Sequence, residues 1–398
     1  MRRVEAPAAA RRGPSIGGAF QRGLRRAAEA PLVHGNAAML LIDGPRAYPA
    51  MLERVAGAQR RVHFENYIFR GDAVGRRFAD ALIERARAGV EVRVLYDWFG
   101  SVRTARSFWA RLRRAGCEVR AFGPPSVLRP HAMLRRDHRK LVVVDGRCAV
   151  IGGLCIGREW DGGEDGACWR DTAVLLEGPV ARELDRAFAR MWRRAGGRPP
   201  STVDAPSFPP AGDVAVRVID GPPAHARAYR HYQLLAAMAE RSLYVTGAYP
   251  LAPGSLRRAL GAAARSGVDV RLLVPGRSDV PILNQAGRAH YAALLRAGVR
   301  IYEWQGPMLH AKTVVTDGKL ALIGSSNLNP FSFTGNYELD VEIQDPALAG
   351  ALERQFLADL DAAREITLDA WCLRPAMQRV RERAGAIALW LPYRLYGG

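Results

Sequence analysis

Short apolar runs bounded by glycine and polar residues recur along the chain, and two of them read as one element written twice. HRKLVVVDGRCAVIGGLC (138–155) gives an apolar strand, an Asp-Gly turn and a second apolar strand. HAKTVVTDGKLALIGSSN (310–327) gives the same pattern at the same spacing. Asp-Gly between two apolar runs is a strong hairpin signal. Each hairpin opens with a histidine and a lysine two residues apart, His138 with Lys140 and His310 with Lys312. Period two places both side chains of a pair on one face of the strand.

The repetition extends upstream. RARAGVEVRVLYD (85–97) matches AARSGVDVRLLVP (263–275), each a helix end with a Gly stop followed by a strand. LRRAGCEVRAF (112–122) matches LLRAGVRIYEW (294–304), and HFENYIF (63–69) matches LYVTGAY (243–249) as the first strand. Each half then reads strand, helix, strand, helix, strand, hairpin. That alternation predicts the α/β class, two tandem α/β/α domains related by a pseudo-twofold axis, with a shared site at their interface. The expected boundaries are a basic N-terminal extension over 1–36, a first domain over 37–197, a linker over 198–212, a second domain over 213–365 and a tail over 366–398. The linker lies in the Pro/Gly/Ser-rich stretch 196–213, and the first half carries an additional Pro-rich loop at 124–134. In the extension, Ile16, Phe20, Leu24 and Ala27 share one face of a weakly amphipathic helix.

Composition sharpens this picture at three points. The formal net charge of +19 implies an anionic partner: a phospholipid surface, a nucleic acid or a phosphorylated substrate. The five cysteines show no CxxC pair and no metal-ligand spacing, which indicates reduced thiols rather than a disulfide framework. No apolar run approaches the roughly 18 residues of a membrane span, so a peripheral protein on the cytoplasmic side is expected. Most informative is the lysine count. Of 58 basic residues only Lys140, Lys312 and Lys319 are lysines, and two of these occupy the same position of the repeat. A compact three-donor cation is not replaceable by a guanidinium at a site that needs a point charge. Composition alone would supply about 0.06 His-x-Lys pairs in such a chain, so two at matched spacing mark a site.

Two histidines and two lysines suit phosphodiester chemistry. One imidazole attacks phosphorus to give a phosphohistidine, and the other protonates the leaving alcohol and then deprotonates the incoming one. The lysines neutralise the non-bridging oxygens. Neither a metal nor a cofactor is called for. Each histidine also needs an orienting acid. The candidates lie about thirty residues beyond each motif: Asp171 in WRDT for the first half, Glu338 in NYELD for the second, with Asp340 the near alternative. Gly153, Cys155, Ser325 and Asn327, just beyond the hairpins, are candidates for phosphate contacts.

These residues resemble the phospholipase D superfamily. Tandem His-x-Lys-x4-Asp motifs are followed by Gly-Ser-x-Asn in the second half, and the wording ENYIF, GVEVRVLYDWFGS, DHRKLVVVDG, WRDT, PGRSD, MLHAKTVVTDG and GSSNLNP is similar to bacterial cardiolipin synthases without transmembrane helices. The resemblance covers nearly the whole chain. It implies transfer of a phosphatidyl group from phosphatidylglycerol to a second phosphatidylglycerol with release of glycerol, at an anionic phospholipid membrane surface. It also adds Asp145 and Asp317 to the catalytic set and favours His138 as the nucleophile.

Three points stay open at this level. Asp145 and Asp317 are equally explained by the hairpin turn. Glu65 either lines the cleft or is a buried carboxylate. Cys155 stands where the second copy has Asn327 and replaces an amide with a weak S–H donor, which leaves a weaker phosphate pocket or a nucleophilic thiol to consider. Hydrolysis to phosphatidic acid, another donor lipid such as phosphatidylethanolamine, and a nuclease are the competing activities. The lack of a recognisable nucleic-acid-binding motif argues against the last. The aromatic tail end, with Trp390, Tyr393, Arg394 and Tyr396, suits either a membrane interface or packing on the body. Oligomeric state is not legible.

Overall fold

The computed structural model describes residues 17–125, 135–162, 166–198, 208–223 and 225–396, with the side chains of 334 and 390–396 excepted. Ile16, most of the 124–134 loop, most of the linker and the aromatic side chains of the tail end lie outside the described residues.

The chain runs α1 (Gly18–Ala28), β1 (Val33–Ile42), α2 (Asp43–Ala56), β2 (Arg61–Asn66), α3 (Ala73–Arg87), β3 (Glu91–Asp97), α4 (Arg106–Arg114) and β4 (Glu118–Phe122). The first hairpin follows as β5 (Lys140–Val144) and β6 (Cys148–Gly152), then the short α5 (Arg158–Asp161), β7 (Thr172–Glu177) and α6 (Val180–Arg194). The second half repeats this plan with β8 (Val214–Gly221), α7 (Arg227–Met238), β9 (Ser242–Gly247), α8 (Gly254–Arg265), β10 (Asp269–Pro275), α9 (Pro281–Arg288), α10 (Tyr291–Arg296) and β11 (Arg300–Trp304). Its hairpin is β12 (Lys312–Thr316) and β13 (Leu320–Gly324), followed by β14 (Glu338–Gln344) and α11 (Pro346–Asp361). The chain ends with β15 (Ala363–Ile366), α12 (Leu368–Cys372) and α13 (Ala376–Tyr396).

The strand order is β15-β11-β10-β9-β12-β13-β14-β8-β1-β7-β6-β5-β2-β3-β4. Read outward from the central β8–β1 pair, each strand of β1–β7 has its counterpart seven strands later. The sequence reading took β2 and β9 as the first strands, although its bounds at 37 and 213 take in most of β1 and all of β8. β1 and β8 precede the strands taken as first, and their antiparallel pairing joins the two halves.

Period-two alternation decides which core each strand face enters. Leu141 and Val143 of β5, with Ala149 and Ile151 of β6, point into a central core. Val142, Val144 and Val150 point the other way, into the outer core of the first half. The second half does the same, with Val315, Ile323, Leu339 and Val341 central and Val314, Leu320 and Leu322 outer. The central core also takes the apolar faces of α6 (Leu184, Phe188, Trp192) and α11 (Leu348, Leu352). It is therefore built equally from both halves, and burial of its apolar surface holds them face to face.

The N-terminal helix is part of the folded body. In α1, Leu24 and Ala28 are buried in the outer core of the second half, against Tyr232, Leu235 and Ala236 of α7. The helix packs on the protein body. Replacing Leu24 by Ala should destabilise the fold by about 2–4 kcal/mol, as for other buried leucines, measured by urea unfolding. A change below about 0.5 kcal/mol, the level of an exposed substitution, would contradict this packing.

Candidate active site

The site is built where the N-terminal ends of β5 and β12 meet the segments that lead into β14 and β7. The His138 N–H donates to the Tyr337 carbonyl at 3.0 Å, and the Tyr337 N–H donates to the Arg136 carbonyl at 2.8 Å. The mirror arrangement joins the other corner: His310 N–H to the Arg170 carbonyl at 2.7 Å, and Arg170 N–H to the Met308 carbonyl at 2.9 Å. Each bridge is a fragment of parallel ladder between opposite halves. Tyr337 and Arg170 immediately precede Glu338 and Asp171, so each carboxylate is delivered to the histidine of the other half.

The hydrogen bonds follow. His138 Nδ1 lies 3.0 Å from Glu338 Oε2, and His310 Nδ1 lies 2.7 Å from Asp171 Oδ2. This corrects the sequence reading, which assigned each acid to the histidine of its own half. The acids are the expected ones; the partners are exchanged. A carboxylate at Nδ1 fixes the Nδ1–H tautomer and leaves Nε2 with its lone pair. Asp340, the alternative acid, instead accepts from the N–H and hydroxyl of Ser326, at 3.0 and 2.5 Å.

The two corners differ in detail. Asp171 also accepts from the Trp160 indole at 2.9 Å and from its neighbour Thr172 N–H at 2.8 Å. Gly153 makes room for it: a Cβ there would sit 2.1 Å from Asp171 Oδ1. In the second half Ser325 occupies the equivalent position and donates its hydroxyl to Glu338 Oε2 at 2.5 Å. The pairs are complementary, Gly with a carboxylate crowded against it and Ser with the longer Glu. Both Gly153 and Ser325 thus lie against the carboxylates and help to position them. Burial acts to raise the Asp171 pKa, but His310, Lys312 and the Thr172 N–H outweigh it and hold it at about 2. Burial wins at Glu338, raising it to about 7 against Lys140 and Ser325.

Lys140 and Lys312 are buried, and each ammonium donates to the carbonyl of its own motif histidine. Burial, Lys140 and Lys312 together hold His138 well below its ordinary value. Burial and Lys312 take His310 down to about 4 against the pull of Asp171. Burial lowers Lys312 to about 8, with Asp171 opposing and Lys140 adding to the fall. Each histidine feels the lysines of both halves, so all four groups form one electrostatic unit. The resting site has neutral imidazoles and concentrated positive charge, an arrangement poised for a phosphate monoanion.

Asp145 and Asp317 lie at the far ends of their strands from the histidines. Both take positive φ, 55° and 54°, followed by glycines at 67° and 64°. Asp145 accepts from the N–H groups of Gln59, Arg60 and Arg61, and Asp317 from those of Glu240, Arg241 and Ser242. They pin the hairpin turn to the start of the neighbouring strand. This geometry gives them the turn role and leaves them apart from the reacting groups.

Cys155 is fully buried, and burial pushes its thiol up despite Lys140 and Lys312. A thiol held protonated is a poor nucleophile. Asn327 is buried in the equivalent place of the second half, with no hydrogen bond to its Oδ1 among the described residues. Glu65 is a buried carboxylate, 3.3 Å from Arg139, which also reaches Asp220 of β8 at 3.3 Å. Lys319 occupies the hairpin turn, outside the site.

Sequence reasoning missed the groups that brace the site. Arg170 of WRDT forms a buried ion pair with Asp359 of α11 at 2.8 Å and also donates to Thr172 Oγ1 at 2.9 Å. The Tyr67 ring stands edge-on to His138 at 4.8 Å, and the rings of Trp160 and Trp169 flank His310 at 5.5 and 5.6 Å. The repeat held no signal for these residues because they are the ones in which the halves differ.

Comparison with known proteins shows the family and the fold. Residues 51–192 and 234–360 each match the family described as cardiolipin synthase, PLD-like domain. The chain belongs to the cardiolipin synthase family of the phospholipase D superfamily. It is 33% identical over 355 residues to the major cardiolipin synthase of Bacillus subtilis, covering 87% of this chain and 73% of that one. A cardiolipin synthase of Geobacillus kaustophilus is 33% identical over 364 residues, covering 90% and 72%. The crystal structure of phosphatidylserine synthase from Haemophilus influenzae Rd KW20 superposes with a TM-score of 0.72 at 14% identity, covering 95% of this chain and 99% of that one. That likeness shows a shared fold. The α/β class, the tandem domains and the family expected from the motifs are borne out. Among the described residues no helix is long and apolar enough to cross a membrane.

The crossed pairing is testable by NMR. Asp171→Asn should move the ring-nitrogen shifts of His310 much more than those of His138, and Glu338→Gln should do the reverse. Asp171→Asn should also lower turnover by roughly 10³–10⁴, the scale seen when an orienting carboxylate is neutralised. A larger movement of the His138 than of the His310 resonances by Asp171→Asn would contradict the crossing.

Proposed function

We propose that this chain is a phosphatidyltransferase of the cardiolipin synthase type, moving a phosphatidyl group from one phosphatidylglycerol to another and releasing glycerol. The observation that carries the reading is the pair of crossed histidine–carboxylate contacts with both lysines in one buried site, in a chain of this family.

Nε2 of one imidazole attacks phosphorus. The bond from phosphorus to the glycerol oxygen breaks, and that oxygen takes a proton from the second imidazole. The second imidazole then accepts the proton of the incoming hydroxyl, whose oxygen attacks phosphorus and breaks the P–N bond. Superfamily analogy assigns the attack to His138. Both histidines are depressed in the empty site by burial and the lysines. An arriving phosphate diester offsets the lysine charge and raises the affinity of the acid imidazole for its proton. The lysines hold the non-bridging oxygens as charge builds on them.

The site works at an anionic membrane surface, drawn there by the net charge of +19. The cytoplasmic face fits five cysteines that are all free.

Pure protein incubated with phosphatidylglycerol vesicles should yield cardiolipin and free glycerol by lipid mass spectrometry. Phosphatidic acid alone would mark a hydrolase, and degradation of single-stranded DNA without lipid turnover a nuclease. His138→Ala and His310→Ala should each remove nearly all turnover, and substantial activity in either would sink the two-histidine scheme.

The pH profile has a defined basic limb. Lys312 titrates at about 8. As pH rises through that value the ammonium is lost and the phosphate loses a counter-charge, so kcat/KM should fall more steeply above about pH 8 than just below it. Lys312→Arg should remove this limb while lowering the plateau, and an unchanged limb in that variant would exclude Lys312 as its source.

A further inference from the structure

A half-open cavity of about 660 Å³ lies in the second half, between the N-terminal part of α8, the segment that follows β13, and α13. Two of its walls continue directly from the site. Tyr249, whose ring faces His310 at 6.3 Å, is followed by Leu251 and Ala252, which line the cavity. Asn327 is followed by Phe331 and Phe333, which line the opposite side. With consecutive Cα atoms 3.8 Å apart, these walls begin within a few residues of the reacting groups. The third wall is α13, through Ala386, Ile387 and Leu389. The lining is mainly apolar, and Arg257, Arg258 and His290 supply its polar edge. Size and lining both suit an apolar ligand with an anionic end.

The helix that closes this cavity has a second unusual face. α13 turns Glu382 inward, where it pairs with Arg374 at 2.9 Å, and Gly385 lets it approach α9 closely, 3.4 Å from Ala286 N to a Cβ built there. At 100° per residue, Met377, Val380, Ala384 and Ile387 fall on the opposite, outward side. Met377, Val380 and Ile387 are 63%, 60% and 67% exposed, and Leu373 just ahead of the helix is 86% exposed. Arg381 flanks this stripe on one side and Arg379 and Arg383 on the other, all exposed. An apolar stripe between arginines fits the surface of an anionic bilayer. Ile387 belongs both to the stripe and to the cavity wall.

We propose that this cavity is an acyl-chain subsite: one chain of an anionic phospholipid leaves the membrane along α13 and lies between α8, Phe331 and α13, with its phosphate toward the site. The assignment rests on the lipid reading above and deepens it. Continuity with the catalytic segments selects a part of the substrate as occupant. The arginines at the edge match an anionic lipid, and the stripe on the outer face of the same helix selects a membrane as its source.

The test compares dioleoyl- and dihexanoyl-phosphatidylglycerol in the same detergent micelles, with binding of cis-parinaric acid followed by its fluorescence. Ala386→Trp fills the cavity, and Ile387→Ser makes its wall polar without adding bulk. Both variants should lower kcat/KM for the dioleoyl lipid about tenfold or more, since several buried methylenes lose their contacts, and change the dihexanoyl value less than about threefold. Wild-type protein should bind the probe, and Ala386→Trp should bind it at least about tenfold more weakly. Thermal melting identifies a variant that is unfolded, and Ile387→Ser then carries the comparison. Equal losses for both lipids in a folded variant, or equal probe binding by wild type and Ala386→Trp, would overturn the subsite. Absence of cardiolipin from either lipid would overturn the transferase reading instead, and the probe arm would still decide the cavity.

Discussion

Two short backbone bridges govern this molecule. At each, a residue just ahead of a motif histidine pairs with a residue just ahead of a carboxylate in the other half: Asp137 with Tyr337, and Leu309 with Arg170. A backbone bridge fixes position to within hydrogen-bonding tolerance, so the side chain that follows on each strand is fixed as well. Glu338 reaches His138 and Asp171 reaches His310 for that reason. Neither motif histidine finds its carboxylate within its own half. The chemistry is therefore a property of the interface, and anything that loosens the interface loosens both corners together.

What holds that interface is the central core. It is lined by alternate residues of the two hairpins and by α6 and α11, and its burial is the main attractive term between the halves. Charged groups add direction to this non-directional force. Arg170 with Asp359, and Arg139 with Asp220, are ion pairs that span the halves, and Arg139 also meets the buried Glu65 of its own half. Buried pairs of this kind carry a large desolvation cost and contribute little net stability, but removing one partner strands a charge. Their role here is to resist sliding of one half on the other, which would misplace each carboxylate relative to its histidine.

The symmetry is broken where the proposed two-step transfer needs two different groups. One corner has a strongly ionised Asp171, held by an indole, an amide and an imidazole; the other has Glu338 raised to about 7 and held by a hydroxyl. Two imidazoles with unequal partners are suited to unequal roles in a two-step transfer. Asn327 opposite Cys155 extends the difference into the pocket.

Much of this was legible before folding. The repeat of His, Lys and Asp-Gly at equal spacing named both histidines, both lysines and both acids, because a duplicated site must duplicate its chemistry in sequence. Period two in the hairpins showed that histidine and lysine share a face, since a strand has only two. The turn role of Asp145 and Asp317 was visible but undivided from a catalytic one, because Asp-Gly suits positive φ whatever else the aspartate does. The pairing of acid to histidine was not legible. Sequence distance suggested partners within a half, whereas a pseudo-twofold interface sets neighbours by the symmetry operation and not by chain order. Trp160, Arg170 and Tyr67 were hidden for a related reason: each has no counterpart in the other copy. Residue types and their local direction were determined by the sequence alone. Which of them meet was decided by the packing of one half on the other, because contacts across an interface depend on the orientation of whole sheets, and no local pattern encodes that orientation.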